Sequence, residues 1–314
     1  MAADPLAGDP RPRHPHAPRP RALLFPRDAG RCRAVAVDEK QCQDSPWPGG
    51  FSVPPACFFP TPASLGRNSD QSVGVCYNAH MNQYKKVSIV IPVYNERGTI
   101  EQVLREVKSA NTFGLEKEII LVDDFSTDGT RDFLKSLNDP ELKIFLQEKN
   151  TGKGGALHKA FDESTGDIVI VQDADLEYDP KEIEKVLEPF IKFDAQVVYG
   201  SRYIKPSQNL GFWHSFFNKL FTHVSNILIG QKITDIMTCY KAFSRPALES
   251  FLKKLESQRF GFEPEVTARV TRAGYKIIEV PISYQPRSHY EGKHMNLKGQ
   301  VDSLKALIKY SLFR

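Results

Sequence analysis

The sequence predicts an α/β protein: a mainly parallel sheet flanked by helices, behind a proline-rich N-terminal extension. Three observations carry this. Short Val- and Ile-rich runs alternate, from residue 87 to about 199, with segments whose apolar residues recur at helical spacing. The helical segments are long enough for right-handed crossovers between parallel strands. Polar clusters follow directly on four of the runs, where an open parallel sheet gathers its ligands at one edge.

In chain order, Val87–Pro92 reads as a strand. Ile100, Val103, Leu104 and Val107 follow at helical spacing, with Thr99 and Gln102 placed as a capping box. Glu118–Val122 is a strand and Asp128–Leu137 a short helix. Lys143–Leu146 and Gly154–Phe161 repeat the pair, as do Asp167–Val171 with Lys181–Ile191. Gln196–Tyr199 is a fifth strand. Phe212–Ile229 separates polar and apolar positions at helical spacing, so it is amphipathic: a core helix or a lipid-facing one. Phe243–Leu255 and Glu265–Arg272 are predicted helices, Lys276–Tyr284 a late strand with Pro281 suited to a sheet edge, and Val301–Phe313 a last helix.

Residues 1–80 differ in kind. They hold 13 of the 22 prolines and show no period of 2 or 3.6, so the extension is expected to be disordered. Met81 stands just before the first predicted strand, and removing residues 1–80 is expected to leave activity intact. The rest of the composition is that of a globular protein: 40% hydrophobic, 25% charged, net charge +4 over 314 residues. That charge does not call for nucleic acid, and no basic run is interleaved with aromatics. Cys32, Cys42, Cys57 and Cys76 precede Met81 and only Cys239 follows it, with no metal-type spacing, which fits a reducing compartment. No stretch approaches ~20 consecutive apolar residues, and the N-terminus lacks the apolar core of a signal peptide.

The chemistry collects at strand ends: Pro92–Glu96, Asp123–Asp128, Asn150–Gly155 and Asp173–Ala174–Asp175. An Asp-x-Asp pair alone is equally a solvated strand-to-helix turn, with Asp179 capping the helix at Pro180. Four clusters on one edge point further. Carboxylates this close repel unless a hard cation joins them, and Mg²⁺ favours one or two carboxylates plus phosphate oxygens. Pro92 and Tyr94 offer a wall for a base, and Glu96 and Asp124 offer acceptors. Lys153 between glycines suits a phosphate at a helix N-terminus, or the glycines simply make a tight turn.

These motifs, in this order, resemble family 2 glycosyltransferases of the GT-A (Rossmann-like) fold, over roughly residues 85–295. Gly200-Ser-Arg202, Thr234-Asp-x-x-Thr-Cys-Tyr-Lys241, Phe262-Glu263, Glu279–Ile282 and Arg287 are most similar to the dolichol-phosphate or polyprenol-phosphate mannosyltransferase branch. The resemblance implies an inverting transfer of a hexose from a nucleotide sugar to a polyprenyl or dolichyl phosphate. It implies residues 81–200 as the nucleotide-sugar half and 201–314 as the acceptor half. Pro92, Tyr94, Glu96, Asp124, Lys153, Asp173, Ala174 and Asp175 would bind the nucleotide sugar. Asp173 and Asp175, with Glu177 close by, would hold Mg²⁺ or Mn²⁺; the branch often carries Gln at the position of Glu177. Arg202, Lys241, Arg287 and Lys293 would meet the acceptor and donor phosphates, with Arg202, Arg287 and Lys293 assigned to the acceptor's, and Asp173, Asp175, Arg202, Asp235 and Lys241 would form the catalytic set. The Gln-x-x-Arg-Trp motif of processive synthases is absent.

The acceptor's chemistry can be argued separately. A lipid phosphate is already ionised near neutral pH, so it needs cations rather than a general base. Arg202, Arg287, Lys293, His294 and Lys298 are the expected cations, against a solvated basic loop. A hydroxyl acceptor, as in cell-envelope glycan or glycolipid synthesis from a UDP-sugar, would need a carboxylate base. Asp235 is the first candidate for it, with Glu263 and Glu265 behind, against an ordinary turn or cap role for Asp235. A non-enzymatic nucleotide-sugar-binding protein is the third reading. A lipid substrate further implies a peripheral position on the cytosolic face of a membrane, by surface binding or through membrane-embedded partner subunits.

Overall fold

The computed structural model describes residues 83–205, 212–287 and 297–312. The extension 1–80 and the candidates Lys293 and His294 lie outside the described residues, as does the side chain of Lys298.

Seven strands form one sheet, in the order β3-β2-β1-β4-β6-β5-β7. They are β1 (Lys86–Val93), β2 (Glu116–Asp123), β3 (Leu142–Leu146), β4 (Ile168–Val171), β5 (Val197–Ser201), β6 (Lys241–Ser244) and β7 (Ile277–Pro281). The helices are α1 (Ile100–Ser109), α2 (Thr130–Ser136), α3 (Lys153–Glu163), α4 (Ile183–Phe193), α5 (Phe212–Ile229), α6 (Arg245–Leu252), α7 (Phe262–Arg272) and α8 (Leu297–Leu312). β1 pairs in parallel with β2 on one side and β4 on the other, so the strand order reverses there. A crevice opens at such a switch point, outside the carboxyl ends of the strands.

The central strands are buried on both faces, which is why they read as continuous apolar runs. Ile89, Ile91, Ile119, Leu121, Ile168 and Ile170 face one layer, built from α1 and α4. Val90, Ile120, Val122, Val169 and Val171 face the other, where Leu157 and Phe161 of α3 meet Leu248 and Phe251 of α6. Each such side chain taken out of water contributes about 1.5–3 kcal/mol.

The structure corrects three local expectations. Phe243 does not begin a helix. Lys241–Ser244 is a fully buried strand, antiparallel to both neighbours, and the helix starts at Arg245, where the Ser244 hydroxyl accepts from the Ala247 N–H. Four residues with no exposed face give no alternation to read. Thr99 and Gln102 do not form a capping box. The Thr99 hydroxyl donates to the Ala174 carbonyl (2.7 Å), and the Gln102 amide donates to Glu106. The second helix starts at Thr130 rather than Asp128, whose carboxylate takes the N–H groups of Arg97 and Thr130. Asp179 does cap the turn at Pro180, accepting from Lys181 N, and Pro281 does lie on the outermost strand.

Candidate active site

The tips of β1, β2 and β4 meet at the switch point. Each turns through a left-handed non-glycine residue: Asn95 (φ 56°), Phe125 (φ 67°) and Leu176 (φ 60°). Asn tolerates that conformation, whereas it costs Phe and Leu about 1–2 kcal/mol each. Such strain tends to collect where the backbone has a task beyond packing. Side chains stitch the loops to one another. Asn95 accepts from Thr127 N (2.8 Å), and Asn95 N donates to the Ser126 hydroxyl (2.9 Å). Glu96 N donates to Thr130 Oγ1 (2.9 Å).

Asp124 is 2% exposed and already accepts three hydrogen bonds, from Thr151 N (2.7 Å), Thr151 Oγ1 (3.1 Å) and Gly152 N (2.8 Å). A carboxylate has about four acceptor directions, so at most one is left for a ligand. Asp124 thus builds the cradle by tying the β2 tip to the glycine loop. The glycines there have a packing reason as well. Gly152 has φ 87°, and a Cβ on Gly154 would lie 2.4 Å from the Ser257 carbonyl oxygen. Another segment therefore closes on the loop, and Gly155 N donates to Gln258 O (3.1 Å). Two of the amides expected to face a phosphate are spent inside the protein.

Lys153 turns its ammonium to Asp173, 2.6 Å away. Asp175 lies deeper in charge trouble. Burial, then the charges of Asp173 and Glu177, push its carboxyl up to about 7. The Glu177 carboxylate accepts from the Tyr284 hydroxyl (2.8 Å) and from Arg287 N (3.2 Å). The Arg287 guanidinium donates to the Asp175 carbonyl (3.1 Å) and pairs with Glu96 (2.5 Å). A cavity of about 510 Å³, large enough for a nucleotide, is lined by Asn95, Glu96, Thr99, Asp128, Asp175 and Arg287 among others.

On the β5 side, Arg202 forms a two-pronged pair with Asp235: Nε to Oδ2 at 2.6 Å and Nη2 to Oδ1 at 2.8 Å. Both are buried, at 6% and 0% side-chain exposure. Burial alone would raise the Asp235 carboxyl, but the Arg202 guanidinium holds it below the ordinary carboxylate range. Asn218 donates to the same carboxylate (3.2 Å), so it is not a free proton acceptor. The Arg202 guanidinium lies 5.0 Å from the Tyr284 ring, which links this pair to the acid turn. Lys241 is fully buried and directs its ammonium to the carbonyls of Ile236 (3.0 Å) and Thr238; burial pushes it down to about 8.

The structure therefore brings Glu96, Lys153, Asp173, Ala174, Asp175, Glu177 and Arg287 to one place. Arg202 and Asp235 stand beside it, and Lys241 beneath. Pro92 is the penultimate residue of β1, opposite Val122, with Tyr94 in the following turn. Thr99 and Tyr284 were not anticipated, because their partners Ala174 and Glu177 lie 75 and 107 residues away in sequence. Among the described residues, no three His, Cys, Asp or Glu side chains form a complete metal cage. The donor set does fit a hard divalent cation sharing phosphate oxygens. Asp173 and Asp175 supply two carboxylates, and Asp175, raised first by burial and then by the charges of Asp173 and Glu177, is an acid whose ionised form a cation would favour.

Residues 88–252, more than half of the chain, match the family described as "Glycosyl transferase family 2". Dolichol-phosphate mannosyltransferase of Pyrococcus furiosus is 32% identical over 219 residues, which are 69% of this chain and 60% of that protein. Undecaprenyl-phosphate mannosyltransferase of Micrococcus luteus is 30% identical over 66% of this chain and 87% of that one. The match to glycosyltransferase AglD of Haloferax volcanii, at 26%, spans only 33% of that protein. Among solved structures, glucosyl-3-phosphoglycerate synthase from Mycobacterium tuberculosis with Mn²⁺, UDP and phosphoglyceric acid superposes with a TM-score of 0.57 at 20% identity. The overlap covers 76% of this chain and 82% of that one. The same enzyme with Mg²⁺ and UDP gives 0.56 at 18%, covering 76% and 83%. At those identities the likeness shows the GT-A type of fold. Sequence match, sheet order and strand-tip acids agree that this chain is a member of glycosyltransferase family 2.

Proposed function

We propose that the protein moves a hexose from a nucleotide sugar to a polyprenyl or dolichyl phosphate with inversion, GDP-mannose being the first donor to test. The observation that carries this is the state of Asp235. The best candidate for a general base is locked to Arg202, while the cation Arg287 stands over the acid turn. An ionised phosphate needs cations and no base; a hydroxyl would need the base. The names of the Pyrococcus and Micrococcus relatives point the same way.

In this reading a phosphate oxygen of the lipid attacks the anomeric carbon as the bond to the diphosphate breaks. Asp173 and Asp175 would hold Mg²⁺ or Mn²⁺, which would offset the charge left on the diphosphate. Lys153 adds a second cation on the same side. Pro92 and Tyr94 wall the base, and Asp124 shapes the loop beneath it. Arg287, with Arg202 behind Tyr284 and Lys293 farther along the chain, orients the acceptor phosphate. Lys241 supports the floor.

No helix among the described residues is long and apolar enough to cross a membrane. The protein is proposed to meet the bilayer peripherally, on the cytosolic side. α5 exposes Phe216, Phe217, Leu220 and Ile227, and α8 exposes Val301, Leu304, Ile308 and Leu312. Membrane-embedded partner subunits would serve the same end. The second reading, a UDP-sugar and a hydroxyl acceptor, draws on the UDP-bound Mycobacterium structures.

The test is to incubate the protein with Mn²⁺, polyprenyl phosphate and radiolabelled GDP-mannose or UDP-glucose. Label entering the organic phase, and lost on chelation, is the expected result. Label appearing only on hydroxyl acceptors would overturn the proposal in favour of the second reading.

A further inference from the structure

Glu96 and Arg287 are 191 residues apart in the chain, yet they meet over the cavity. The resemblance gives Glu96 to the nucleotide. The geometry gives its carboxylate elsewhere: Oε1 accepts from Arg287 Nη1 (3.3 Å) and Oε2 from Nη2 (2.5 Å). Both side chains are mostly enclosed, at 15% and 19% exposure.

The strap carrying Arg287 is pinned separately. Gln285 N donates to the Glu177 carbonyl (2.9 Å), the Tyr284 hydroxyl to Glu177 Oε2 (2.8 Å) and Arg287 N to Glu177 Oε1 (3.2 Å). Only the guanidinium head needs a further hold, and Glu96 is the carboxylate that supplies it. Among the described residues, three of the five guanidinium N–H groups are used: Nε on the Asp175 carbonyl and one from each Nη on Glu96. The two N–H groups that remain, one on each Nη, point to opposite sides of the head, so each can give a phosphate oxygen a single charge-assisted hydrogen bond. A long side chain fixed beforehand loses little rotamer freedom when its ligand arrives.

We propose that Glu96 is a positioning residue for the acceptor: it acts through Arg287, holding that guanidinium above the acid turn for the phosphate of an isoprenoid phosphate. This rests on the acceptor reading given above, and the test keeps the two apart.

Calorimetry on the full chain would use farnesyl phosphate as a water-soluble isoprenoid phosphate and, separately, GDP and UDP with Mn²⁺. Glu96→Gln is expected to weaken farnesyl phosphate about tenfold and to change nucleotide affinity less than about twofold. Glu96→Asp is expected to restore most of the loss. Arg287→Ala should lose as much, and the double variant Glu96→Gln/Arg287→Ala no more than Arg287→Ala alone. Loss of nucleotide binding with farnesyl phosphate unchanged, equal loss in both, or additive losses in the double variant would each overturn the inference. Wild-type protein that takes nucleotide but not farnesyl phosphate, or an Arg287→Ala variant with unchanged affinity for it, would overturn the acceptor reading and the inference with it. Thermal melts accompany each variant. If Glu96→Gln fails to fold, Glu96→Asp decides: nucleotide loss without farnesyl phosphate loss sinks the idea.

Discussion

Two edges of the same sheet each carry a carboxylate in a charged cluster, and the two clusters are built in opposite ways. At the amino edge, Glu118 is 3% exposed. It accepts from the Ser88 hydroxyl (2.5 Å), from Thr165 N and Oγ1 (2.8 Å each) and from Lys143 (2.6 Å). Burial alone would raise its pKa, but these partners bring it down to about 2. At the carboxyl edge, Asp175 accepts from Glu177 N (3.1 Å) and faces Asp173 and Glu177. One acid is saturated, the other crowded by its own kind. Saturated acids hold folds together, while crowded ones wait for a ligand of opposite charge.

The sharpest way to break this contrast is to neutralise both acids and read stability beside transfer. Asp175→Asn is expected to lower sugar transfer by at least about 10³-fold, by removing a group proposed to act on the departing diphosphate. It should leave the melting temperature unchanged or higher, because a like-charge contact disappears. Transfer within tenfold of wild type, or a clear fall in melting temperature, would remove Asp175 from the functional side of the comparison.

Asp235 asks whether position or saturation decides. It lies at the carboxyl edge, yet it is as well partnered as Glu118. Asp235→Asn leaves a buried guanidinium without its counter-charge and should cost about 3 kcal/mol in urea unfolding. The paired change Asp235→Leu/Arg202→Met should recover much of that stability. A single variant as stable as wild type would mean that the edge, and not the partners, sets the role.

Much of this contrast was already legible in the chain, and the illegible part has one physical cause. Buried parallel strands read as unbroken Val and Ile runs, so β1, β2 and β4 and the acids at their tips could be placed from local text. Partners across crossovers could not. Nothing near Asp124 says that Thr151 and Gly152 fill its acceptor sites, and nothing near Glu96 points to Arg287. The last two residues of β6, Phe243 and Ser244, read as the start of the following helix because four residues buried on both faces carry no period. Asp235 invited two readings, base or turn. The arginine that selects between structural and chemical use sits on β5's tip, 33 residues earlier.

The smaller predictions sharpen the amino edge. Glu118→Gln should cost about 2 kcal/mol at neutral pH, discounting the full shift because Lys143 is 45% exposed. The sign with pH is fixed. The folded pKa is depressed, so this stability is present above the unfolded value near 4.5 and is lost as pH falls toward about 2. Urea midpoints measured from pH 5 to pH 2 should therefore fall less steeply in Glu118→Gln than in wild type. Lys143→Met is the mildest case, about 0.5–1 kcal/mol, since its half-exposed ammonium is screened and Ser88 and Thr165 still hold the carboxylate. Its acid limb should shift slightly toward higher pH, because losing one cation lets Glu118 protonate earlier. If Lys143→Met instead erased the limb, the hydroxyl and amide partners would be doing little. Glu118 would then be an ion pair like any surface pair, and the contrast with Asp175 would rest on one lysine.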